Sequence, residues 1–135
     1  MKVVVGFDNS DDSEAALEWA MDEAKQRDAD IIVVASIRGG RRLDAELKQV
    51  LPYRRALEDV ERRLTAAGIR HEIKKYARGR TFAEDVVADA ADREADLIVI
   101  GLRSRAPAGR LFVGTRPRSV LIGAHCPVVV VKAKS

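Results

Sequence analysis

In residues 101–115 (GLRSRAPAGRLFVGT), three glycines and three arginines stand together without one acidic side chain. Glycine permits close backbone approach and positive φ, and arginine offers a planar fork of donors that matches an oxyanion. The segment leaves an apolar run (DLIVI) and ends where a helix is expected to start, so unpaired N–H groups would face the same space. Together these features predict a cradle for an anion, and a phosphate above all.

Other groups that could do chemistry are sparse. His71 and His125 are far apart on different elements, there is no metal-spaced Cys/His cluster, and no serine has an obvious base. The sequence therefore predicts no efficient catalysis, although slow hydrolysis is compatible with a bound Mg²⁺ and an ordered water, which need few side chains. The single Cys126 cannot form an internal disulfide and reads as a small buried side chain.

The elements that must position the cradle are legible from periodicity. Residues 2–7 (KVVVGF) form a β-branched run of the kind that parallel sheets bury on both faces, and 31–37 (IIVVASI) repeats it. Between them Ser10 or Asp11 can cap a helix, with Glu14 completing a capping pattern with Asp11. Ala16, Leu17, Ala20, Met21 and Ala24 mark its inner face, with Trp19 off that stripe as edge packing. The basic turn 38–42 (RGGRR) suits either a solvated loop or a phosphate lid.

Leu43, Leu47 and Val50 then have helical spacing, and Pro52 predicts a break followed by a second helix striped by Leu57, Val60, Leu64 and Ala67, with Gly68 at its end. Residues 69–76 (IRHEIKKY) alternate and carry two lysines and a glutamate, as an edge strand does, which places His71 on a wet surface. Thr81 and Glu84 form a capping box ahead of Phe82, Val86, Val87 and Ala90. A buried strand at 97–100 enters the cradle; Pro117 then suits the first turn of a short helix through about Ala124, and 127–131 (PVVVV) is the last strand.

Strands and helices alternate throughout, which implies an α/β fold: a parallel sheet with helices on both faces and right-handed crossovers. Ligands of such sheets bind beyond the carboxyl ends of strands where the strand order reverses. If the first and fourth strands are neighbours there, Asp8 and the Gly101 loop face one cleft.

Composition narrows the class. At 135 residues and 47% apolar content the chain is expected to be one domain, 1–135, with a core of its own. Lys plus Arg exceed Asp plus Glu by three (24 against 21), too little to indicate a nucleic-acid or membrane protein. The arginines of the cradle lack interleaved aromatics, which argues against nucleic acid. The apolar runs are too short to cross a bilayer and no signal-like segment opens the chain, so a cytoplasmic protein without membrane contact is expected.

The opening VVVGFDNSDDSEAALEWA, the glycine frame from Gly101 to Gly114 and Thr115, and the closing HCPVVVVK together resemble the universal stress protein family, the UspA-like group. The similarity spans essentially the whole chain. It implies a Rossmann-like, five-stranded parallel sheet of order 3-2-1-4-5 and a homodimer formed through the fifth strand, Pro127 and the valines through Val131. The exposed apolar edge points the same way, because it invites pairing with another chain.

Family members that bind ATP carry GxxGx₉G followed by Ser or Thr. Here Gly101, Gly114 and Thr115 match, and Ser104 stands where the second glycine belongs. Pro117 lacks an N–H at a point where the family often presents one to the phosphates. Arg103, Arg105, Arg110, Arg116 and Arg118 act in the opposite sense, supplying cations to a polyphosphate. Carried over by position, Asp8 would meet the ribose or adenine, and Ser36 would line the adenine through its backbone. Gly101, Arg103, Ser104, Gly114, Thr115 and Arg116 would surround the phosphates.

The reading is a cytoplasmic stress-response protein that binds ATP, with or without Mg, or AMP or ADP, in a regulatory role. The alternative is a nucleotide-free homodimeric interaction module with a degenerated ATP site.

Overall fold

The computed structural model describes residues 1–36, 43–76, 81–102 and 115–133. Among these residues nine elements alternate: β1 (Lys2–Gly6), α1 (Asp11–Arg27), β2 (Asp30–Ser36), α2 (Leu43–Ala66), β3 (His71–Tyr76), α3 (Phe82–Asp92), β4 (Leu97–Gly101), α4 (Thr115–Gly123) and β5 (Val128–Val131). The strands pair in parallel in the order β3-β2-β1-β4-β5, so β1 and β4 are central neighbours and β3 and β5 are edges.

Strand alternation sorts the core into two layers. Val3, Val5 and Phe7 join Ile31, Val33, Leu97 and Val99 against Leu17 of α1 and Leu57, Val60 and Leu64 of α2. On the other face Val4, Ile32, Val34, Ile98 and Ile100 meet Phe82, Val86 and Ala90 of α3 and Val120 of α4. The continuous valine and isoleucine runs follow from this, since a central strand covered on both faces has no polar side.

Local signals differ from the sequence reading at four places. The cap of α1 is Ser10, whose partner in the capping box is Ser13; Glu14 instead reaches across to Arg63 of α2 at 2.8 Å. α2 runs unbroken through Pro52. A mid-helix proline removes one backbone bond and costs about 3 kcal/mol. Here the following turn is held by the Tyr53 hydroxyl, which donates to the Phe7 carbonyl, and by buried Leu57, Val60 and Leu64. The helix then closes as predicted near Gly68, at φ +69°. Its N–H donates to the Thr65 carbonyl and that of Ile69 to the Leu64 carbonyl, the Schellman pattern.

His71 is the third difference. Its side chain is only 12% exposed, with Nδ1 2.7 Å from the Ile69 carbonyl and Nε2 2.8 Å from Glu61. Burial opposes the charged ring, but the Ile69 carbonyl and Glu61 outweigh it and raise the pKa. A raised histidine pKa adds stability that is fully present below the ordinary value and disappears as pH rises through the folded one. Glu61→Gln should therefore lower the melting temperature more at about pH 5.5 than at about pH 8.5, on either side of the ordinary histidine value. Equal losses at both would show that the ring is not charged in this pair.

Cys126, the fourth, is only half-buried, packing at the margin of the α3 layer. Partial burial and then Asp96 push its thiol pKa up, away from reactivity. The 38–42 turn and Ile37 lie outside the described residues.

Candidate functional site

The carboxyl ends of β1 and β4 lie side by side, with Val5 in register with Val99. Chain continuing from β1 turns through Asp8 and Asn9, the latter at φ 64°, into the Ser10 cap. Ser13 is buried beneath this turn: its hydroxyl accepts from the Ser10 N–H at 3.1 Å and from the Asp8 N–H at 3.3 Å. Asp8 is held in turn, one carboxylate oxygen accepting from the Ser10 N–H (3.0 Å) and hydroxyl (2.5 Å).

Gly101 ends β4 against the first turn of α1. A Cβ there would stand 2.6 Å from the Asp12 backbone carbonyl carbon, so its lack of a side chain serves close approach. Asp12 also ties down the chain beyond β5, accepting from the Ala133 N–H at 2.7 Å. Gly6 has a similar function on the opposite face, where a Cβ would meet the Phe82 ring at 2.7 Å.

Across this cleft α4 begins at Thr115 and presents Arg116. The guanidinium Nη1 donates to the second Asp8 oxygen at 3.0 Å, and the guanidinium carbon lies 5.2 Å from the centre of the Phe82 ring. The pair is partly shielded, with 35% of the arginine and 13% of the aspartate side chain exposed. Gly6, Asp8, Ser10, Ser13, Phe82, Ile100, Gly101, Arg116 and Pro117 enclose about 10 Å³ between them, about the space of one water.

A second polar group lies beside it. Tyr53, edge-on to Phe7, reaches the carboxyl end of β1. Its pKa is raised by burial and then by Asp8, with Arg116 and the Ser36 backbone acting against them. Ser36, at the end of β2, donates its hydroxyl to buried Asp85 of α3 at 2.8 Å. One turn on, buried Asp89 accepts from the Tyr76 hydroxyl at 2.5 Å and pairs with Arg93 at 3.0 Å. Burial and then Asp89 push Tyr76 up to about 12. Arg93 continues to Glu72 at 2.6 Å and, with Lys74, holds that carboxyl down at about 2.

Of the residues singled out in the sequence, the structure brings Asp8, Gly101 and Arg116 to one cleft, with Thr115 opening the helix that carries Arg116. Ser36 ends the neighbouring strand and does not line that cavity. Arg103, Ser104 and Gly114 lie outside the described residues. Phe82 and Tyr53 went unrecognised as parts of the site. Both look like core residues in a periodicity argument, and only strand order places them at the same end of the sheet.

A larger cavity, about 520 Å³, lies between α2 and β3, lined by Leu57, Glu58, Glu61, Arg62, Ile73 and Lys75. Its charges are exposed and of mixed sign, with no set converging on one point. Among the described residues no group of three His, Cys, Asp or Glu side chains could hold a metal ion, and no helix is long and apolar enough to cross a membrane.

The family model "Universal stress protein family" matches residues 1–132. A universal stress protein of Mycolicibacterium smegmatis is 31% identical over 130 residues, covering 96% of each chain. The solved universal stress protein of Archaeoglobus fulgidus superimposes with a TM-score of 0.80 at 33% identity, over 98% of both chains. Another solved universal stress protein from that organism, in complex with dAMP, gives 0.75 at 30% identity, again over 98% of both. With strand order, length and sequence in agreement over nearly all of its residues, the chain belongs to the universal stress protein family.

Proposed function

We propose that this protein binds an adenine nucleotide, ATP, ADP or AMP, in the cleft between the carboxyl ends of β1 and β4, and that occupancy regulates its association in the stress response. The observation that carries the reading is the convergence of Asp8, Gly101 and Arg116 where the strand order reverses, the position at which open α/β sheets bind ligands. A relative 30% identical over nearly the whole chain binds dAMP, which supports an adenine ligand. In this reading Asp8 takes the ribose or adenine side, and the Ser36 backbone borders the base. Gly101, Arg103, Ser104, Gly114, Thr115 and Arg116 surround the phosphates, where Mg²⁺ would screen the charge of ATP.

The role is regulatory rather than enzymatic, and the setting is the cytoplasm. β5 supplies the dimer surface: it is an edge strand whose four residues are all valine and all half-buried. Exposed Ile122 of α4 adds apolar surface elsewhere on the chain.

One observation favours the nucleotide-free module instead. The Asp8–Arg116 pair already fills the cleft, and Pro117 withdraws one amide from the start of α4. Titration calorimetry with Mg-ATP, ADP and AMP separates the two readings. Saturable binding near one site per chain is expected; no heat with any of the three would leave the dimerisation module standing.

A further inference from the structure

We propose that Tyr53 guards the base end of this cleft, its hydroxyl holding on the Phe7 carbonyl the place that the exocyclic amino group of an adenine takes on binding. The inference rests on the adenine-nucleotide reading and adds to it the groups that choose the base.

The Tyr53 hydroxyl lies among the groups that flank the base in that reading. Phe7 extends the β1–β2 ladder, its N–H donating to the Val34 carbonyl at 2.9 Å, while its own carbonyl accepts from Tyr53. Asp8 follows Phe7 directly, and Ser36 ends the neighbouring strand β2. Burial and then the Asp8 charge raise the Tyr53 pKa, with Arg116 and the Ser36 backbone opposing them, so one phenol answers to both strand ends. The hydroxyl stays protonated and serves the carbonyl as a standing donor.

A carbonyl that takes a donor selects what replaces it. Phe7 is fully buried, and a buried acceptor left without a donor costs more than an ordinary hydrogen bond gains. The amino group of adenine is a donor and fits. The 6-oxo group of hypoxanthine is an acceptor and would set its oxygen against the carbonyl oxygen, so the same ribose and phosphate with that base are refused. Pro52, the residue before Tyr53, lies inside α2 and leaves it one backbone bond short. The helix therefore yields most easily where Tyr53 must withdraw.

The test compares AMP with IMP by titration calorimetry on the whole chain, wild type against Tyr53→Phe, which keeps the ring and its edge contact with Phe7. Wild type should bind AMP roughly tenfold or more tightly than IMP, the cost of a buried acceptor facing the wrong group. Tyr53→Phe should bind AMP about fivefold more tightly, the equivalent of one ordinary hydrogen bond that no longer has to be broken, with IMP unchanged. A structural lesion weakens both nucleotides, so selective tightening of AMP is the signature of the guard. Equal affinities for AMP and IMP in wild type would overturn the inference without any variant. AMP unchanged or weakened in Tyr53→Phe, or both nucleotides tightened alike, would overturn it too while leaving the nucleotide reading in place. If neither nucleotide binds wild type or variant, both fall.

Discussion

Gly101→Ala is expected to destabilise the protein by about 3 kcal/mol, the upper part of the usual cost of overpacking a closed region. The new methyl would lie 2.6 to 2.8 Å from the backbone carbonyl and Cβ of Asp12. Backbone in the first turn of α1 cannot swing aside as a long side chain can. Relief would require moving α1 off the end of β4, which also breaks the bond from Ala133 to Asp12. Equilibrium denaturation measures this directly. An unchanged midpoint would mean that β4 and α1 are less closely apposed than described.

Phe82→Ala should cost about 3 kcal/mol, near the low end for deleting a buried phenylalanine, because the ring is 7% exposed. Phe82 fills the space that Gly6 leaves open and packs in the α3 layer with Val86 and Ala90. Its loss leaves a cavity directly beneath the Arg116 guanidinium. The same variant should therefore also weaken AMP binding, since the arginine loses the face that holds it in place. A loss of stability well under 1 kcal/mol would indicate that the neighbours collapse to fill the site.

Much of this was legible in the chain because the signals were local. Valine runs identify covered strands, and the TxxE spacing at Thr81 and Glu84 gave the start of α3, where the structure shows both halves of the box. Polar β3 was expected at an edge and lies there. Pro52 misled because a local preference was outweighed by tertiary anchors, Tyr53 on Phe7 and the buried stripe behind it.

The site was harder to read for the same kind of reason. Glycine and arginine indicate a phosphate from sequence alone, but nothing local pairs Asp8 with Arg116 across 108 positions. Gly101 was expected to allow close approach to an anion or a positive φ, whereas the structure uses its missing side chain for contact with α1. Asp85 and Asp89 escaped notice because acids beside an apolar stripe ordinarily face water. Here Ser36, Tyr76 and Arg93 supply the partners that allow their burial.

The most direct measurement of where this protein binds is an amide chemical-shift titration of the isotope-labelled chain with ATP and with AMP. The account predicts saturable shifts concentrated at Asp8, Ser10, Gly101, Leu102 and Arg116. Amides lining the larger cavity between α2 and β3, such as Glu61 and Ile73, should stay still. Shifts confined to that second cavity, or no shifts at saturating nucleotide, would contradict it.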